Sequence, residues 1–112
     1  MSGITTHVLD TSLGKPVASL PVTLSVREAS AFRELARGLT DVDGRLRQFS
    51  PDLPLVEGTY RLRFETSAYF RSSSRAAFFE QVTLEFCVAD ASEHYHVPLL
   101  LSPFGYTTYR GT

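Results

Sequence analysis

Cysteine is nearly absent from the chain. Cys87 stands alone, so no disulfide can form within one molecule. Its setting, VTLEFCVA, reads as a strand in which the thiol is a small buried hydrophobe, and no local base would activate it. Zinc finds little support: a strand could turn His94 and His96 toward one ion, but no CxxC or HExxH pattern accompanies them. Long apolar runs are missing too, and nothing approaches the roughly 20 residues of a membrane-spanning helix. The formal net charge of −1 supplies no field to draw in nucleic acid or an anionic membrane. The opening MSGITTHVLD lacks the basic and apolar regions of a signal peptide, and Arg-Gly-Thr at the other end is not a Ser-Lys-Leu address. The expectation is a cytoplasmic protein.

No repeat, low-complexity linker or composition break divides the 112 residues, so residues 1–112 read as a single domain. With 43% hydrophobic and 21% charged residues the composition is that of an ordinary globular protein. A domain this small would gain from oligomerisation.

The chain alternates short strands with turns. Residues 5–10 set Thr5, His7 and Leu9 on one side and Thr6 and Val8 on the other. Ser12-Leu13-Gly14-Lys15-Pro16 is a turn. Residues 20–28 form a half-buried strand through Val22, Leu24 and Val26. AFRELARGL has helical spacing for a turn or two, and residue-level reading leaves it open. Thr40-Asp41-Val42-Asp43-Gly44 is a tight turn leading into a short strand over residues 45–49. Residues 51–58 are a loop, and residues 59–65 (TYRLRFE) alternate cleanly. Ser67 would cap a short helix over residues 67–73. Residues 78–88 read as a strand with Val82, Leu84, Phe86 and Val88 inward.

The carboxy-terminal stretch HYHVPLLLSPFGYTTYRGT organises the rest. Tyr95, Val97, Leu99 and Leu101 point one way, toward the domain's own core. His94, His96, Pro98 and Leu100 point the other, where a lone molecule would expose leucine beside histidine. Two strands joined at Ser102-Pro103-Phe104-Gly105 account for it. About eight short strands and one helical turn predict an all-β fold, an antiparallel β-sandwich.

HYHVPLLLSP with the closing YTTYRGT, THVLDTSLGKPV near the start and TDVDGR in the middle resemble the 5-hydroxyisourate hydrolases, the transthyretin-like enzymes of purine breakdown. The resemblance spans almost the whole chain. One position departs: the family usually ends in Tyr-Arg-Gly-Ser, and here Thr112 stands last. The resemblance implies a transthyretin-like (prealbumin-like) sandwich, a strand from Arg33 onward, and a homotetramer built as a dimer of dimers with its sites between facing sheets. The alternation agrees, because an apolar face studded with imidazoles invites a symmetric partner.

The implied chemistry is hydrolysis of a cyclic amide, with a small purine-derived molecule as the partner and no cofactor, metal, nucleic acid or membrane. Water opens the six-membered ring of 5-hydroxyisourate at a carbonyl and gives 2-oxo-4-hydroxy-4-carboxy-5-ureidoimidazoline. His7 and His96 would share water activation and proton delivery, since imidazole exists in both forms near neutrality. Arg45 would bind and polarise the substrate through its charged fork of donors. Thr112 would bring a hydroxyl near the water, with Tyr109, Arg110 and Gly111 completing the substrate site. Arg110, alternating away from Tyr109, could also pair with an acidic side chain and anchor the tail. His94 reads as structural or as a partner of the catalytic groups.

Each of these residues taken singly has an ordinary explanation, such as a solvated arginine or a surface histidine. Jointly they fall on the positions the family uses. Two other functions suit the same scaffold: a transthyretin-type carrier of a small ligand, and a sandwich that binds another protein through the apolar face. Neither gives His7, Arg45 and His96 work to do.

Overall fold

A computed structural model describes residues 3–112; Met1 and Ser2 of the amino-terminal stretch lie outside the described residues. The first strand, β1 (Ile4–Asp10), buries Ile4, Thr6, Val8 and Asp10 and leaves Thr5, His7 and Leu9 half-buried on the opposite face. It pairs with β2 (Lys15–Pro16) and with β5 (Arg45–Leu46) on one side. On its other side lies β8 (Tyr95–Ser102), which in turn pairs with β9 (Gly105–Thr108). The second sheet has the order β4 (Ala31–Leu39), β3 (Pro21–Glu28), β6 (Gly58–Phe64), β7 (Val82–Val88). The expected sandwich is present, and every pairing is antiparallel except β1 with β8, which run parallel in register from Ile4 opposite Tyr95 to Asp10 opposite Leu101.

The core lies between the sheets. Val8, Leu99 and Leu101 from the first sheet meet Val22, Leu62, Phe64 and Val82 from the second, all of them fully or almost fully buried. The inward set expected of β8 is Tyr95, Val97, Leu99 and Leu101, and all four are buried. On its other face His96 and Leu100 are half-buried, while Pro98 is covered. Packing one face of each sheet inward thus leaves the outer face of the first sheet to carry chemistry.

Several local expectations are corrected. The strand that the resemblance implies from Arg33 onward is present and begins two residues earlier, since pairing with β3 runs from Glu28 opposite Ala31 to Pro21 opposite Leu39. The strand expected over residues 45–49 stops after Leu46; Phe49 is buried beyond it, and Ser50 bridges to Arg37. The strand expected over residues 78–88 begins at Val82, and Phe78 is instead tied by its N–H to the Pro103 carbonyl at 2.8 Å. Helix α1 (Thr66–Ser72) is capped by Glu65 rather than Ser67, with no side-chain cap bond, since the Glu65 carboxylate is taken by Arg63 at 2.8 Å. Cys87 is exposed, because alternation in β7 turns it outward with Thr83 and Glu85.

One network went unread in the sequence. The buried Asp10 carboxylate accepts hydrogen bonds from Arg75 Nη2 and Tyr69 Oη, each at 2.6 Å, and from Ser12 Oγ at 2.7 Å. The Ser12 and Leu13 amides add bonds at 3.0 and 3.1 Å. Burial alone would raise its pKa, but Arg75, Tyr69, Ser12 and Leu13 together hold it well below the usual carboxylate range. This ties the end of β1 to the helix.

Candidate active site

Strand register sets out the site in two rows across the outer face of the first sheet. In one row, β5 places Arg45 opposite His7 of β1, and His7 lies opposite Pro98 of β8. In the next, Thr5 lies opposite His96, and His96 is bridged to Gly111 in the tail. Successive residues on one face of a strand are about 6.6 Å apart, so both rows fit within the reach of one small molecule.

The Asp41–Gly44 turn fixes Arg45. Asp41 Oδ1 accepts from the amides of Asp43 and Arg45, each at 2.9 Å, and the Gly44 amide donates to the Asp41 carbonyl at 2.9 Å. The Arg45 amide first, with the Asp43 amide and the Arg47 guanidinium, holds the Asp41 carboxyl below its ordinary pKa. Gly44 has φ of +77°, and a Cβ there would collide with the Val8 carbonyl oxygen, so only glycine lets the turn lie against β1. Among the described residues the Arg45 side chain makes no hydrogen bond or ion pair within the chain, which leaves its five donors for a ligand.

Arg45, Arg47, Thr5, His94, His96 and Thr112 line an open cavity of about 540 Å³. His7 is not among its lining side chains; it stands beside it in the Arg45 row, and its Nε2–H donates to the Asp43 carbonyl at 2.9 Å. Its free ring nitrogen is therefore Nδ1. Thr5 Oγ1 lies 2.8 Å from Nδ1 of His96 and 3.0 Å from Nε2 of His94. Burial lowers the His96 pKa below the ordinary imidazole value, and the charges of His94, Arg45 and His7 push the same way. A hydrogen bond to the Thr5 main chain opposes them.

The tail reaches this face through its last two residues. The Gly111 amide donates to the His96 carbonyl at 2.8 Å, and Thr112 follows into the cavity. Tyr109 and Arg110 are not brought there. Arg110 pairs with Glu93 at 3.0 Å, donates to the His94 carbonyl at 3.3 Å and stacks 4.4 Å over the Tyr95 ring. Tyr109 lies with it in a separate cleft against Leu84 and Cys87 of β7. Sequence reasoning missed Thr5 and Arg47. The signal for Thr5 was present in the alternation, which put it on the His7 face. Among the described residues, no three or more His, Cys, Asp or Glu side chains are grouped to hold a metal ion.

A two-sheet sandwich carrying an arginine, two histidines and a chain tail around one outer-face cavity defines a small-molecule site on a transthyretin-type scaffold. The family model described as HIUase/Transthyretin family matches residues 4–111. The 5-hydroxyisourate hydrolase 2 of Rhizobium meliloti is 49% identical over 119 residues, covering 97% of this chain and 95% of that one. The solved structure of Klebsiella pneumoniae 5-hydroxyisourate hydrolase superposes with a TM-score of 0.84 at 38% identity, over 97% of this chain and 98% of that one. Sea bream transthyretin in complex with thyroxine superposes with a TM-score of 0.91 at 29% identity, over 99% and 96%. The chain belongs to the HIUase/Transthyretin family.

Proposed function

We propose that the protein hydrolyses 5-hydroxyisourate to 2-oxo-4-hydroxy-4-carboxy-5-ureidoimidazoline. The observation that carries this reading is the single cavity in which the unpaired Arg45 meets His96 and Thr112. The relatives named as hydrolases support it. His96 takes a proton from water at its Nε2, because its lowered pKa keeps the ring neutral near pH 7. The water oxygen bonds to the ring carbonyl carbon, and Arg45 balances the charge that develops on the carbonyl oxygen. The carbon–nitrogen bond then breaks, and the proton that His96 took from water passes to the released nitrogen by way of His7, whose bare Nδ1 accepts it beside Arg45 and hands it on. The carboxyl group left behind ionises to the carboxylate. Thr112 orients the water, and Gly111 lets the tail close over His96. Tyr109 and Arg110, outside the cavity of one chain, are assigned to holding the tail. The half-buried Leu100 beside His96 supports a homotetramer in which this face meets its copy.

The likeness to a thyroxine complex favours a second reading, a carrier that binds a small aromatic ligand without changing it. Backbone similarity alone does not separate the two, and the side chains do: a carrier has no use for Arg45 held free beside two imidazoles. Adding the purified protein to freshly made 5-hydroxyisourate and following its absorbance decides between them. Faster decay supports the hydrolase, while unchanged decay with saturable thyroxine binding supports the carrier.

A further inference from the structure

Two ring nitrogens converge on one hydroxyl. Thr5 Oγ1 is 2.8 Å from His96 Nδ1 and 3.0 Å from His94 Nε2, and the two rings are nearly parallel at 27° with centroids 6.4 Å apart. A threonine hydroxyl has one proton to give and lone pairs to accept with. It can donate to one ring only. Two facing lone pairs would leave one ring nitrogen unsatisfied, and two facing N–H groups would leave the hydroxyl proton without an acceptor among the described residues. The rings must therefore take opposite parts, one donating to Thr5 and one accepting from it.

We propose that Thr5 and His94 are positioning residues: the Thr5 hydroxyl accepts from Nδ1–H of His96 and donates to Nε2 of His94, so that His96 keeps the lone pair on Nε2. This rests on the hydrolase reading for its consequence, because a base needs that lone pair. The base role sets the direction: only this arrangement leaves Nε2 of His96 bare, and His94 is exposed, free to present either nitrogen bare. The arrangement carries charge cleanly. When Nε2 of His96 takes a proton from water, the Nδ1–H bond to Thr5 stays in place and no second proton moves.

The test is nitrogen-15 NMR of the histidine rings in the intact protein, read beside turnover of 5-hydroxyisourate, for wild type, Thr5→Ser, Thr5→Val and His94→Phe. Wild type and Thr5→Ser should show His96 as the Nδ1–H tautomer. Thr5→Val should shift it toward Nε2–H and lower kcat by roughly tenfold or more with KM little changed, as for groups that hold an imidazole in its working tautomer. His94→Phe removes the acceptor of the Thr5 hydroxyl and should loosen the same tautomer preference, so it decides should Thr5→Val not fold. Nε2–H in wild type, or a tautomer unchanged in both Thr5→Val and His94→Phe, would overturn the relay. The NMR result needs no substrate, so a wild type that shows the tautomer but turns nothing over would sink the hydrolase reading instead.

Discussion

Gly111 lies flat against the ring of His96. A Cβ built at Gly111 would stand 2.7 Å from His96 Cδ2, closer than real side chains approach, and a tight 3.3 Å from Pro98 Cγ. The ring has no easy retreat, because Thr5 holds its other side at 2.8 Å. Gly111→Ala should therefore push the tail off the cavity or turn the imidazole, and turnover should drop by on the order of a hundredfold, the range for a displaced acid–base group. Melting temperature should hardly move, since the contact lies outside the core. Wild-type kcat in Gly111→Ala would detach the tail from the reaction.

The pH profile follows from His96. Its pKa lies below the ordinary imidazole value of about 6.5, so the neutral, working form persists to lower pH than a free histidine would allow. Turnover should hold through neutrality and fall only as the pH drops through that lowered value. Stability moves in the same direction, because the unfolded chain takes the proton first and acidification then favours unfolding. A rate that rises on acidification would assign His96 the opposite part. A chelator should leave the rate unchanged, and inhibition reversed by zinc would contradict the metal-free steps.

Asp10 and Arg75 give a prediction about stability alone. Their oxygen and nitrogen are 2.6 Å apart, and the Asp10 side chain is fully buried. Removing one partner of a buried pair costs about 3 kcal/mol, so Asp10→Ala should be that much less stable in urea unfolding. The folded pKa is depressed, so this stability is present above the unfolded value of about 3.9 and is lost as pH falls through the folded one. Wild type should lose stability below that point, and Asp10→Asn should have a flatter acid limb. Equal acid limbs in the two proteins would show that the network does not hold the fold.

The fold was largely legible because its strands alternate and its turns carry Asp-Gly or Pro. The inward set of β8 follows from period two alone. What alternation cannot carry is pairing. Nothing local says that β1 runs parallel to β8, and that pairing alone brings Thr5 beside His96. Residue spacing left AFRELARGL open and only the resemblance pointed to a strand, because the cross-strand partners that decide its state are invisible in one sequence. Cys87 was misplaced because a free thiol was taken as a core residue without counting its phase against Val82 and Leu84. Asp10, Tyr69 and Arg75 are up to 65 residues apart, so their charge network had no local signature. Among the candidate residues, His96, Arg45 and Thr112 share one cavity, His7 adjoins it, and Tyr109 and Arg110 lie outside it.

Assembly has its own readout. His96 and Leu100 share a half-buried face that a second copy would cover, so the protein should be a tetramer by light scattering at micromolar concentration. Leu100→Arg should break it into smaller species and lower turnover with it. A wild type that scatters as a monomer while remaining fully active would place the complete site within one chain.

The central claim is that Arg45 and the two histidines make this face hydrolytic. The direct measurement is the decay of freshly prepared 5-hydroxyisourate in the presence of wild type, His7→Ala, Arg45→Ala and His96→Ala, each with a wild-type melting curve as control. The account predicts rapid decay with wild type and losses of about a hundredfold or more in each variant, the magnitude of a missing proton-transfer or charge-stabilising group. Decay no faster than in buffer with folded wild-type protein, or wild-type rates in all three variants, would contradict it.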